Sequence, residues 1–536
     1  MSAVKNPILQ SLPDDVEALK KIIAAQYLAL TEKDSTLTKK DQIIAVKEQR
    51  IATLEEFVRL QKLKRFGASS EKSPAQQEMF NEAELSVEAE QILVEREVLQ
   101  TNKGASAQIK PGRKPLPAEL PRLRIEHELP ESDKRCACGC QLSEIGSDMS
   151  EQLDIIPAQI RVLQHVRKKY ACKHCEDGVK TAPLPAQPIA KSNASPGLLA
   201  HVAVSKYQDA LPLHRQETML NRTGIKIPRN TLASWMMKAG ALLQPLLNLL
   251  GDELLAYPIV HCDETGVQVL KEPGKHATSQ SYMWVRVGGP PAQPIRLFHY
   301  ADSRRGEVAS DLLEGFNGYL QTDDYAGYNT VAAENRITQL GCWAHVRRKF
   351  IEAQKATSSK DKKTKAGNAE QAVSLIGKLY AIEKDIKDLE PEQKQQARQR
   401  QSKPVLKEIR EFLDKVRPAT LPKGLLGKAL AYLDKNWNKL TVYIEDGRLT
   451  IDNNPAENAI RPFVIGRKNW LFSATVPGAK SSANLYSVIE TAKANGLEPY
   501  AYLRYVFKEL PRATTVEEIE TLLPWNVNTD TLLLND

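Results

Sequence analysis

From residue 257 onward the apolar residues recur at strand period rather than helical period. YPIVHCDETGVQVL is an apolar run that meets Asp263, turns at Gly266 and resumes. SYMWVRVGG and PIRLFHYADS follow with Gly and Pro breaks between them, the pattern of a β-meander. RGEVASDLLEGF reads as a helix, and GYLQTDDYAGYN as a short strand that ends at Asp323-Asp324 and a Gly turn. ITQLGCWAHVRRKF is a further short strand running into a helix. The resulting order, β-β-β-α-β-α-β-α, puts one acid on the first strand and another just past the fourth.

A third acid lies far downstream in DNNPAENAIRPFVIGRKNWLF, Asp452 to Phe472. Asn454 suits a helix N-cap and Pro455 the first helical position, which puts Glu457 in the first turn. Ala459, Ile460 and Phe463 mark a partly buried face, while Arg461, Arg467 and Lys468 supply cations. Taken alone, Glu457 reads as an acid favouring a helix dipole. With Asp263 and Asp323 it completes a set of three carboxylates on the element order of a ribonuclease H-like fold. Phosphodiesters resist attack because their anionic oxygens repel a nucleophile, and two divalent ions about 4 Å apart offset that charge. Mg²⁺ takes hard oxygen ligands and keeps several waters, so three carboxylates are enough to seat a pair. Asp263 is expected to bridge both ions, with Asp323 and Glu457 each favouring one.

The chain has 536 residues, more than one core usually accommodates, so several domains are expected. Its net charge of +8 is mild for this length and matters through clustering. No run of about 18 apolar residues occurs, and the N-terminal MSAVKNPILQSLPDD lacks an apolar signal core. A cytoplasmic protein with no membrane span is the expectation. Val16, Ile23, Leu30, Leu37, Ile44, Ile51 and Val58 form a seven-residue series over a zipper-like helix at 14–66. Gln26, Lys33, Lys40 and Lys47 occupy the middle d positions, which makes homo-oligomerisation through this coiled coil a weak or conditional one. A Glu-, Gln- and Pro-rich linker is expected over 67–130.

Five of the seven cysteines fall between Cys136 and Cys175. Two knuckles, Cys136-Cys138-Cys140 and Cys172-Cys175, resemble a zinc ribbon at 131–182 in which four of the five thiolates hold a structural Zn²⁺. The basic RVLQHVRKKY between them is read as strand. At 195–250 two helices joined by a Gly-containing turn suggest helix-turn-helix, with Arg229, Asn230 and Thr231 placed to meet DNA. The strand region makes a catalytic domain at 255–472, interrupted over about 351–445 by a Lys- and Gln-rich helical insertion. Cys342 and His345, spaced Cys-x-x-His, are read as packing and support for the site, and 473–536 as a C-terminal helical tail. The expected fold class is therefore multidomain α+β: coiled-coil helix, zinc ribbon, helix-turn-helix and a ribonuclease H-like α/β domain with an all-helical insertion.

HCDETG, LQTDDYAGYN, GCWAHVRRKF and NNPAENAIRPFVIGRKNWLF resemble the signature blocks of bacterial DDE transposases of the insertion-sequence sixty-six family. RFGASSEK, SEQLDIIPAQ and LLAHVAVSKYQDALPLHRQE resemble that family's preceding domains. The resemblance implies a transposase that binds the double-stranded ends of its own element, cleaves them and joins the freed 3′ ends to target DNA. It implies two Mg²⁺ ions, with Mn²⁺ able to substitute, and companion proteins encoded by the same element. The family usually has Gly after the second Asp, where this chain has Asp324; the catalytic role is carried to Asp323. A nuclease of the same fold that never joins strands, and a DNA-binding regulator derived from a transposase, are the competing readings.

Overall fold

The computed structural model describes residues 160–171, 179–357 and 367–533, together with most of 15–33. The chain divides into two units, one of residues 88–185 and one of residues 1–87 with 186–536. In the first, β1 (Lys169–Ala171) pairs antiparallel with β2 (Val179–Thr181). Residues 160–168 lie exposed outside any strand, so only the end of the basic stretch expected to be extended is a strand. Cys136, Cys138, Cys140, Cys172 and Cys175 lie outside the described residues.

Helical turns occupy most of 16–33, where Val16, Ile23 and Leu30 are exposed. The rest of the heptad series, from Leu37 to Val58, lies outside the described residues.

The larger unit continues with α1 (Pro196–Tyr207), α2 (Leu213–Arg222), α3 (Arg229–Leu242) and α4 (Gln244–Ala256). Three antiparallel strands follow: β3 (Ile259–Lys271), β4 (Gln280–Gly288) and β5 (Ile295–Ala301). Then come α5 (Gly306–Leu312), β6 (Tyr319–Gln321), α6 (Tyr328–Glu334), β7 (Thr338–Leu340) and α7 (Trp343–Thr357). This is the order expected from the sequence. In the six-stranded mixed sheet five strands run β5-β4-β3-β6-β7, with β6 and β7 parallel to β3 and to each other, and the sixth pairs with β3 off this path. Most of β3 is buried, with half-buried breaks at Asp263 and Gln268, as fits a strand covered on both faces.

The insertion consists of α8 (Asn368–Asp385), α9 (Pro391–Ala397), a π-helical turn (Arg398–Ser402), α10 (Lys403–Val416), α11 (Leu425–Lys435) and α12 (Trp437–Thr441). Its apolar faces share one core with Ile259 of β3, Leu340 of β7 and Trp343, Val346 and Phe350 of α7. The chain returns through α13 (Asn454–Trp470), β8 (Phe472–Thr475), α14 (Val476–Ala494) and α15 (Pro499–Glu509).

The boundary expected at 472/473 does not divide the structure. β8 pairs parallel with the far half of β3, so the sheet itself crosses it. α14 then covers the edge strand β5: the Ser487 and Thr491 hydroxyls accept from the N–H groups of Phe298 and Arg296 at 2.7 and 3.1 Å. Polar side chains thus satisfy a sheet edge that would otherwise stay open. α3 approaches α14 so closely that a Cβ on Gly240 would lie 2.9 Å from the Ser481 Cα.

Candidate active site

Asp263 sits in the middle of β3, half-buried, and its Oδ1 accepts from the Glu264 N–H at 2.9 Å. Burial pushes its carboxyl well above the ordinary range, and the negative charges of Glu264, Asp323 and Glu457 add to the shift. Acids up to 457 − 263 = 194 positions away therefore act on Asp263. Two strands and a helix bring them together.

Asp323 follows β6, which is registered against β3 at Val260 and His261, one turn of pleat before Asp263. Its Oδ1 accepts from the Tyr325 N–H at 2.9 Å, a turn geometry that Asp favours. Asp324 points elsewhere: its Oδ2 meets Lys435 Nζ, at the end of α11, at 2.7 Å.

Sequence reasoning did not anticipate Arg304 and Glu264. Glu264 is buried, accepts from Arg304 Nε at 2.6 Å and from the Tyr328 hydroxyl at 2.8 Å, and pairs further with Arg304 Nη2. Burial lifts its carboxyl to about 7, Asp323 adds to the rise, and Arg304 and Tyr328 oppose it. Arg304 also reaches Asp323 Oδ2 at 3.5 Å and lies 4.1 Å over the Tyr325 ring. One guanidinium thus spans the acid beside Asp263 and the second carboxylate. The signal was an acid embedded in an apolar strand, HCDETG; its partner, 40 residues on in a basic loop, carried none.

α13 begins one residue earlier than expected, with Asn453 rather than Asn454 at the N-cap and Pro455 in the first turn. The Asn453 side chain does not cap its own helix. Its Nδ2 donates to the Cys262 carbonyl of β3 at 2.9 Å, and its Oδ1 lies 3.3 Å from His261 Nδ1. Burial lowers His261 to about 4, so the ring is neutral at physiological pH. The Asn453 N–H reaches Cys342 Sγ at 3.3 Å. Four residues later Glu457 is buried, with its Oε1 3.6 Å from His345 Nδ1 and its Oε2 3.8 Å from Arg348 Nη2. Cys342 and His345 therefore do stand beside the third acid.

Of the residues read as DNA contacts, Arg229 and Asn230 are exposed at the head of α3, and Thr231 is half-buried. On α13, Lys468 is exposed and Arg461 half-buried. Arg467 is only 8% exposed. It lies four residues past Phe463 and seven past Ile460, on the helix face that packs into the core.

Among the described residues, no helix is long and apolar enough to cross a membrane. Residues 191–481 match the family model "Transposase IS66 family", and 487–525 match "IS66 C-terminal element". Residues 133–176 match "zinc-finger binding domain of transposase IS66". Residues 53–125, which overlap most of the expected linker, match "Transposase C of IS166 homeodomain". Two similar proteins come from Sinorhizobium fredii (strain NBRC 101917 / NGR234). The protein y4jD is 35% identical over 427 residues, 77% of this chain and 82% of its own. The protein y4qI is 30% identical over 547 residues, 97% of this chain and 98% of its own. Four family models along the chain, the first spanning the strands and helices that carry all three acids, and a relative matched end to end make it a member of the IS66 transposase family.

Proposed function

We propose that this chain is a DNA transposase that binds the ends of its insertion element, cleaves phosphodiester bonds there and transfers the 3′ ends to target DNA. The observation that carries the proposal is the convergence of Asp263, Asp323 and Glu457, close enough for the second and third to hold up the proton affinity of the first. The strand order β5-β4-β3-β6-β7 supports a ribonuclease H-like reading: a meander whose first strand is central and is flanked by parallel strands.

The donor set fits a pair of Mg²⁺ ions, with Mn²⁺ as a substitute. All three ligands are hard carboxylate oxygens, and their crowded negative charge is what a bound cation relieves. Such ions, when bound, screen the phosphate charge, activate the attacking oxygen and steady the leaving one. The chain itself orients the carboxylates. Asp263 is fixed by its place in the sheet. Arg304 holds Asp323 from one side while the Tyr325 N–H holds it from the other. Asn453 ties the head of α13 to β3, and His345 and Arg348 flank the two oxygens of Glu457. Arg229, Asn230 and Thr231, Arg461 and Lys468, and a zinc ribbon at 131–182 supply affinity for duplex ends. The cell compartment is the bacterial cytoplasm, in association with the nucleoid, and the N-terminal heptads mediate self-association.

The test is a labelled element end incubated with Mg²⁺ and target plasmid, read for nicked and joined products. Asp263→Asn, Asp323→Asn and Glu457→Gln are each expected to abolish both products with end binding retained, because the amide keeps shape but removes charge. Asp324→Asn should be milder. An inactive Asp324→Asn beside an active Asp323→Asn would reassign the second carboxylate. A parent protein that nicks but never joins, with companion proteins supplied, would establish the nuclease reading instead.

A further inference from the structure

Beside the three acids lies a second cluster with different ligand chemistry. Cys342 immediately precedes α7 and His345 lies three positions on, so the helix start presents both on one side. Glu457 comes to them from α13. One ligand atom from each of the three lies within 4.8 Å of the others, and all three residues are buried.

We propose that Cys342, His345 and Glu457 bind a single late first-row divalent ion, zinc by preference, in a site that adjoins the oxygen-only pair and shares Glu457 with it. The geometry is close to what such an ion needs. Nitrogen and oxygen ligands at about 2.1 Å from a tetrahedral metal stand about 3.4 Å apart. His345 Nδ1 and Glu457 Oε1 are 3.6 Å apart, so a few tenths of an ångström closes that edge. The sulfur completes three protein ligands and leaves a fourth position for water.

Surrounding groups support this arrangement. The Asn453 N–H points at Cys342 Sγ at 3.3 Å, the kind of backbone donor that stabilises a ligating thiolate. Arg348 engages the other carboxylate oxygen, Oε2, at 3.8 Å, leaving Oε1 toward the histidine. A dication with one thiolate, one carboxylate and a neutral imidazole carries no net charge, which suits a site this poorly exposed to water. Thiolate and imidazole select zinc, whereas Mg²⁺ takes hard oxygen ligands, so the two kinds of ion partition between neighbouring sites. The inference stands on ligand geometry and does not rest on the transposition chemistry.

The test is zinc content of the full-length protein, equilibrated with micromolar zinc in millimolar Mg²⁺ and freed of excess, followed by competition with a chromogenic chelator. The parent is expected to hold one more zinc than Cys342→Ser or His345→Gln, each shown to be folded by circular dichroism. Equal zinc in the parent and both variants would overturn the proposal. Should the α7 variants fail to fold, Glu457→Gln takes their place. It is expected to weaken zinc affinity at least tenfold, and unchanged affinity overturns the site. Zinc loss without loss of cleavage would leave the site standing and count only against Glu457 as a catalytic ligand.

Discussion

Replacing Glu264 with Gln should change how stability depends on pH, in a direction opposite to that of most acidic residues. The Glu264 carboxyl is raised from 4.5 to about 7, chiefly by burial and then by the charge of Asp323, with Arg304 and Tyr328 opposing. Between those two pH values the folded chain binds a proton that the unfolded chain has released. Stability from this group is therefore present on the acid side and is lost as pH rises from about 4.5 to about 7. A shift of about 2.5 units at about 1.4 kcal/mol per unit amounts to roughly 3 kcal/mol. Glu264→Gln has no such proton to lose and keeps an acceptor for Arg304. Relative to the parent it should gain roughly 3 kcal/mol across that window, measured in Mg²⁺-free buffer. Asp263 shifts in the same direction in both proteins. The share of its shift owed to Glu264 disappears in the variant and enlarges the difference. Urea unfolding followed by tryptophan fluorescence suits the measurement, because Trp284 is buried 5.9 Å from the ring of Tyr328, the residue that holds Glu264. A parent–variant difference that stays constant within about 1 kcal/mol from pH 4.5 to 7.5 would refute the reasoning.

Two further outcomes are expected, beyond the carboxylate series above. Asn453→Ala removes the tie from the head of α13 to the Cys262 carbonyl and His261. It should cost about 3 kcal/mol in denaturant unfolding and slow strand cleavage by displacing Glu457. Gly240→Val forces a side chain against the backbone of Ser481 and should lower stability by about 2 kcal/mol in the same measurement, with α3 and α14 pushed apart.

The strand region was legible because each element carries its own period and its own Gly or Pro break. Those signals are local, and so was the acid that follows β6. β8 was missed because FSAT is only four residues, too short for its alternation to mark a strand, and its pairing with β3 is what makes it one. Arg304 was missed for a related reason: nothing local in ADSRRGEV says that one of two adjacent arginines turns inward to a buried carboxylate. The burial of Arg467 was legible, since its spacing from Ile460 and Phe463 puts it on the apolar stripe. Asn454 lost the N-cap to Asn453, whose amide is engaged by β3. The two parts read from heptads and cysteine knuckles fall mostly outside the described residues.

The insertion raises the question of why Glu457 lies 457 − 323 = 134 positions beyond Asp323 yet acts, like it, on Asp263. The interrupting helices are not an appendage, since their core is continuous with β3, β7 and α7. Their return path is pinned at one buried residue, Arg398, in the π-helical turn. Arg398 donates to both oxygens of Glu383 at 2.9 and 2.7 Å and to the carbonyls of Tyr443, Asp446 and Leu449, each at 2.9 Å. Those carbonyls belong to the segment that leads through Thr450 and Asp452 to Asn453. Arg398→Met keeps the apolar stem but leaves a part-buried carboxylate and three carbonyls without their donor. Breaking a buried pair from one side costs about 3–5 kcal/mol, so the insertion core should loosen by that order. The effect should reach the chemistry as well, because the 443–449 segment sets where α13 begins. Cleavage should fall with the apparent affinity for the element end little changed, and the double variant Arg398→Met/Glu383→Leu should recover part of the lost stability by removing the stranded charge. If Arg398→Met lowers the unfolding midpoint but cleaves at the parental rate at a temperature where it is fully folded, the insertion does not position the third carboxylate. Its role would then lie in contacts with DNA alone.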